Sequence, residues 1–132
     1  MSQEDVEIVR RFAARAEAGD LEAAAELLAP DIEWEVAREH PESRTMVGHE
    51  ALGAYWAEWQ ETVPDMRVEL DRIVDSGDRV VAVGTVRGAG TGSGASANVR
   101  LAIVYACRGG LIVRAQEFLD PAEALRAVGL EE

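Results

Sequence analysis

Ala97-Asn-Val-Arg-Leu-Ala-Ile-Val-Tyr-Ala-Cys-Arg-Gly-Gly-Leu-Ile-Val-Arg-Ala-Gln-Glu-Phe-Leu-Asp120 decides how this chain folds. Two runs of strand character, Ala97 to Arg108 and Leu111 to Asp120, flank Gly109-Gly110, which reads as a hairpin turn. Side chains on a strand alternate faces, so Val99, Leu101, Ile103, Tyr105 and Cys107 share one face of the first run. On the second, Val113, Ala115, Glu117 and Leu119 share one. Glu117 is a lone carboxylate in an apolar row, disfavoured there unless a pocket, a partner or water meets it.

Two more strand-like runs precede this pair, Met66 to Val74 and Arg79 to Arg87, joined by the turn Asp75-Ser-Gly-Asp78. Gly88-Ala-Gly-Thr-Gly-Ser-Gly94 links them to the hairpin. A strand follows this glycine-rich run, not a helix, so it is a flexible connection and not a phosphate loop.

Before Pro64 the pattern is mostly helical. Val6, Val9, Phe12, Ala13 and Ala16 recur at three- and four-residue spacing. Gly19 ends that helix, Asp20 caps the next, and Leu21 to Leu28 forms a short helix stopped by Pro30. Asp31 to Ala37 alternates as a strand with Ile32, Trp34 and Val36 inward. Arg38 to Val47 reads as a polar loop. A third helix, about His49 to Glu61, carries the stripe Leu52, Tyr55, Trp56 and Trp59. Pro121 opens a last short helix ending near Gly129.

Helices kept apart from a mainly antiparallel sheet predict an α+β fold, one domain spanning residues 1–132. A sheet curled around three helices would make a cone open at one end, with the short C-terminal helix outside it. Such a cone suits a small apolar ligand.

Composition narrows the function classes. The chain is 48% hydrophobic and 29% charged, as expected of a globular protein. The net charge of −12 is unsuited to nucleic acid or anionic membranes. No apolar run approaches the ~20 residues that span a bilayer. The N-terminus is acidic and lacks an apolar signal segment, so the expected location is cytoplasmic.

All 13 basic residues are arginine, so no lysine is present to form a Schiff base or hold pyridoxal phosphate. The single cysteine, Cys107, rules out an intramolecular disulfide and reads as a buried, inert thiol. His40 and His49 do not have the spacing of a metal pair. No metal or cofactor is expected.

Ala18-Gly-Asp-Leu-Glu22, Leu28-Ala-Pro-Asp-Ile-Glu-Trp34, Val47-Gly-His-Glu-Ala-Leu52, Asp75-Ser-Gly-Asp-Arg-Val-Val81 and Gly110-Leu-Ile-Val-Arg114 follow in an order that resembles the SnoaL-like branch of the nuclear transport factor 2-like superfamily. The tail Phe118-Leu-Asp-Pro-Ala-Glu-Ala-Leu-Arg-Ala-Val-Gly-Leu130 fits that branch too. The resemblance implies a curved sheet around three helices, a cone-shaped pocket and frequent dimers. Its members include polyketide cyclases, ketosteroid isomerases, limonene epoxide hydrolases and many proteins without known activity, so the fold leaves function open.

The resemblance can be followed residue by residue. The ketosteroid isomerase base position falls on Val36, its tyrosine on Phe12 and its oxyanion aspartate on Ile103, all apolar here. The epoxide hydrolases use an Asp-Arg-Asp set, and the penultimate strand here offers neither residue type on the pocket face. The SnoaL cyclases use a last-strand aspartate beside a histidine. Glu117 lies near that aspartate position, while the histidine position falls on Ile103.

The candidate catalytic residues are therefore Glu117, as proton carrier, and Tyr105, as hydrogen-bond donor to a carbonyl or enolate. Burial disfavours a charged carboxylate, which suits a group that takes up and returns a proton. Phe12, Trp34, Val36, Tyr55, Trp56, Trp59, Leu101, Ile103 and Ala115 are the candidate ligand-binding residues. The three tryptophans would give a flat apolar wall, and they are equally well explained as core. His40 belongs to the loop over the expected mouth.

Ala102, Val104, Ala106, Ile112 and Phe118 are expected on the opposite sheet face. A face so apolar predicts cover by a second copy, a homodimer through the outer sheet. Three functional readings stand together. One is acid–base isomerisation, cyclisation or hydration of a small apolar molecule. The others are a non-catalytic binder of a hydrophobic metabolite, and a dimerisation domain with a vestigial pocket.

Overall fold

The structure, a computed structural model, describes residues 2–37, 43–62, 66–89 and 96–130. His40, Pro64 and residues 90–95 of the glycine-rich run lie outside them. The elements are α1 (Ser2–Glu17), α2 (Leu21–Ala25), β1 (Leu28–Glu35), β2 (Thr45–Val47), α3 (His49–Thr62), β3 (Arg67–Asp75), β4 (Val80–Ala89), β5 (Ser96–Arg108), β6 (Leu111–Phe118) and α4 (Pro121–Ala127). None of these helices is long and apolar enough to cross a membrane.

The fold is α+β. One sheet runs in the order β2-β1-β6-β5-β4-β3, unclosed, with β2 and β3 at its edges. All pairings are antiparallel except β1 with β6, which is parallel. The sheet curls around α1, which touches β3, β4, β5 and β6 in turn. Ile8, Val9 and Phe12 of α1 are buried against Ile32, Trp34, Val36, Tyr105 and Ala115. Ile8 lies outside the stripe read from spacing; Val6, Ala13 and Ala16 are half-buried at its margin.

Two bulges give the sheet its curvature, because an extra residue bends a strand and raises its twist. On β3, Leu70 faces Gly84 and Arg72 faces Val83, so Asp71 is extra. Near it the Leu70 amide donates to Glu17 Oε1 at 2.6 Å, which ties the end of α1 to this strand. On β6, Ala106 faces Arg114 while Cys107 faces Ile112, so Val113 is extra.

The second bulge corrects one expectation. Alternation is broken at Val113, so Ile112 turns into the main core and not to the outer face. The bulge lies on the N-terminal side of Ala115, and Ala115 and Glu117 keep their inward phase.

The N-terminal boundaries also differ from the reading of the sequence. Helix α2 stops at Ala25, and β1 begins at Leu28 with Pro30 inside it. Pro30 is tolerated because the β1–β6 register is irregular between Leu28 and Glu33, so no ladder donor is needed there. Thr45–Val47 is a strand and not part of a loop; its residues pair with Glu33, Trp34 and Glu35.

The outer face of β4 and β5 has its own small core. Val81, Val83, Ala102 and Val104 pack with Ala124 and Leu125 of α4, and Phe118, Val128 and Leu130 close its edge. Asp120 caps α4 by accepting from the Ala122 amide at 3.0 Å, with Pro121 at the first turn. Ala102 and Val104, for which a second subunit was the expected cover, are thus covered within the chain.

Candidate functional site

Parallel pairing of β1 with β6 sets Trp34 beside Ala115 and Glu35 beside Gln116. On its other side β6 pairs with β5, so Ala115 faces Tyr105 and Glu117 faces Ile103. The first, penultimate and last strands therefore converge on one patch of the inner face. Trp34 and Tyr105 are buried there, and Glu117 is half-buried.

The carboxylate has a defined partner. Trp34 Nε1 donates to Glu117 Oε2 at 2.6 Å. Indole nitrogen is a donor only, so the direction of this bond is not in doubt. Tyr105 lies close enough to feel the carboxylate: burial, then the Glu117 charge, then Cys107 hold its phenol above the ordinary tyrosine value. Tyr105 is thus a neutral hydroxyl across the physiological range.

Around this pair the aromatic rings pack on one another. Phe12 lies 6.0 Å from Trp34, 6.2 Å from Trp56 and 5.9 Å from Tyr105, centroid to centroid. Trp34 meets Trp56 at 5.7 Å and 86°, and Tyr105 at 6.2 Å and 75°. The Trp34–Trp56, Trp34–Tyr105 and Phe12–Tyr105 contacts are edge-to-face, which places the positive ring edge on the negative face; Phe12 is tilted against Trp34 and Trp56. The flat wall expected of the tryptophans is therefore not formed; Trp34 and Trp56 stand at nearly right angles.

The other expected site residues are placed as follows. Val36 is buried just beyond β1, its amide bonded to the Arg44 carbonyl at 2.9 Å. Tyr55 and Trp59 pair on α3 at 6.4 Å, and the Arg44 guanidinium sits 5.3 Å over the Tyr55 ring. Leu101 faces Gly84, half-buried and outside the aromatic group. Cys107 is half-buried and its thiol is pushed up to about 11, by burial first and by Asp5 second.

Two features escaped the reading of the sequence. His49, at the start of α3, places Nε2 3.0 Å from the Leu28 carbonyl and 3.1 Å from that of Ala29. It donates to both at the irregular stretch of β1, a structural role that no spacing rule reveals. The second is a cleft of about 260 Å³ between α2 and α3, bordered by Leu21, Ala25, Leu28, Gly53 and Trp56. Gly53, a glycine inside a helix, was the available signal for it. Among the described residues, no three His, Cys, Asp or Glu side chains converge as metal ligands.

Known structures share this architecture. A protein of unknown function from Burkholderia pseudomallei, described as nuclear transport factor 2-like, superposes with a TM-score of 0.78 at 26% identity, covering 96% of this chain and 98% of its own. A putative SnoaL-like polyketide cyclase from Mesorhizobium loti gives 0.67 at 27% identity, over 86% and 97% of the two chains. A hypothetical protein from Catenulispora acidiphila with a ketosteroid isomerase-like fold, solved with trimethylamine, gives 0.74 at 24%, over 94% and 93%. None of the curated proteins is significantly similar in sequence. Residues 9–115 match the sequence profile of the SnoaL-like domain, most of the length of the chain. By this match, and by a curved sheet that brings its first and last strands together around α1, the chain belongs to the SnoaL-like domain family.

Proposed function

We propose that this chain is an acid–base enzyme acting on a small apolar carbonyl compound, by isomerisation, cyclisation or hydration, with Glu117 as the proton carrier. The observation that carries this reading is the 2.6 Å bond from Trp34 Nε1 to Glu117 Oε2. It holds a carboxylate at a fixed position on the aromatic inner face, where a general base must be aimed before its pKa matters. Tyr105, neutral and buried beside it, supplies a donor for a carbonyl oxygen as negative charge develops there. The putative polyketide cyclase among the structural relatives at 27% identity supports a carbonyl substrate.

The test is protein-dependent exchange, above the rate in buffer alone, of the α-proton of an aryl 1,3-diketone in heavy water, followed by proton NMR. Loss of a positioned general base costs roughly 10²–10⁴-fold. Glu117→Gln is expected to lose exchange by that order while remaining folded. Undiminished exchange in Glu117→Gln would sink the assignment.

One observation favours a second reading, a non-catalytic binder of an apolar metabolite. Ile103 stands opposite Glu117 on β5, so that register supplies no second polar group. Retained diketone binding with no exchange by the wild-type protein would establish this reading in place of the first.

A further inference from the structure

Trp56 belongs to two surroundings at once. Its ring meets Trp34 at 5.7 Å and Phe12 at 6.2 Å, in the aromatic group around Glu117. It also lines the cleft between α2 and α3, with Leu21, Ala25, Leu28, Leu52 and Gly53. The Trp56 indole therefore stands between the cleft and Trp34, the residue that holds the carboxylate.

Gly53 lies one turn before Trp56 on α3, and a Cβ built there would meet no atom within 4 Å. Glycine weakens a helix interior relative to alanine, and nothing packed against this position requires it. Gly53 borders the cleft, so a larger side chain here would stand at its edge.

Size and charge narrow the occupant. The cleft, about 260 Å³, is just short of the range of about 300–1,000 Å³ typical of ligand pockets. It has room for a single ring. Trp56, the largest side chain on the border, is only half-buried, whereas Trp34 behind it is fully buried. The border is apolar apart from Glu22, His49 and Gln60, and the His49 ring is engaged by two backbone carbonyls. An anion would be repelled by Glu22 and by a net charge of −12.

We infer that the cleft between α2 and α3 is the entrance to the Glu117 site, that Trp56 is its movable partition, and that the ligand admitted is uncharged, apolar and ring-bearing. This rests on the proposed function, which puts the chemistry at Glu117. The entrance controls association, and the carboxylate controls turnover.

Stopped-flow binding of N-phenyl-1-naphthylamine, a neutral dye that brightens in apolar surroundings, tests the inference. Wild type is compared with Gly53→Leu and Trp56→Ala, and the melting temperature of each is measured. Gly53→Leu is expected to slow association by about tenfold or more without lowering the melting temperature, and Trp56→Ala to speed it by a similar factor.

A folded Gly53→Leu that associates at the wild-type rate overturns the entrance, as does absence of binding to wild type at the solubility limit of the dye. If Trp56→Ala does not fold, Gly53→Leu decides alone. Undiminished diketone exchange in Glu117→Gln would instead remove the catalytic reading while the dye result still judged the route.

Discussion

Trp34 donates its indole N–H to Glu117 Oε2 at 2.6 Å, joining residues 83 positions apart in sequence. The bond converts an acidic side chain in an apolar row into a positioned group. A hydrogen bond to a charged partner contributes about 1.5–3 kcal/mol, and a buried group left without its partner costs a similar amount. Trp34→Phe, which keeps a ring and removes the donor, is expected to destabilise the fold by about 1–3 kcal/mol in urea unfolding. In a Glu117→Leu background the same change should cost less. Equal costs in the two backgrounds would mean that the pair is not coupled.

Alkaline pH should loosen the fold through Cys107 and Tyr105. The Cys107 thiol is raised from 9.0 to about 11. Above its ordinary value the unfolded chain gives up this proton first, so the folded state binds more protons and stability falls as pH rises. Tyr105, also raised by burial, adds a further loss above the ordinary tyrosine value of 10.0. The melting temperature should hold level to about pH 9 and then decline, and Cys107→Ala with Tyr105→Phe should flatten the decline. A level profile through pH 11 in the wild type would contradict this.

Two glycines should respond to alanine with opposite signs. A Cβ at Gly84 would lie 2.7 Å from the Glu69 carbonyl oxygen, where β3 crowds β4 beside the Asp71 bulge. Gly84→Ala should cost about 1–3 kcal/mol, as overpacking does. Gly53→Ala meets open space in a helix and should gain about 0.5–1 kcal/mol. Thermal or urea melts of the two variants check both signs.

The outer core depends on α4. Leu125→Ala should cost about 2–5 kcal/mol, because Leu125 is buried against the sheet. Ending the chain at Asp120 would uncover Val81, Val83, Ala102 and Val104, and light scattering should then report self-association. A truncated chain that stays at the mass of the full one would show that α4 is not the cover.

Period-two alternation was enough to find β3 to β6 and to aim Glu117 inward, because those strands are long and mostly regular. It failed at Ile112, since one unpaired residue at Val113 reverses the phase of everything before it. Strand β2 was missed because three residues carry too little pattern. Pro30 was read as a stop, since the irregular register that accommodates it belongs to a pairing with residues far along the chain. The same distance hid the Trp34–Glu117 bond: both residues were legible as inward-facing, but their meeting depends on the parallel β1–β6 register. The outer apolar face was read correctly at Ala102 and Val104. The packing of α4 on those two residues was not legible, because a seven-residue helix carries no signal of where it docks.

The strand order has a consequence for assembly. β1 reaches the rest of the sheet through β6, its parallel neighbour, while β2 hangs on β1 alone. During synthesis the first 62 residues can form helices, yet β1 and β2 have no seat in the sheet until Phe118 has been made. Contacts at such separation are slow to form, because the loop entropy is spent before they reward it. The carboxylate and its tryptophan therefore meet only in a chain that has closed the joint between its two ends, and the candidate site doubles as a marker of completed folding.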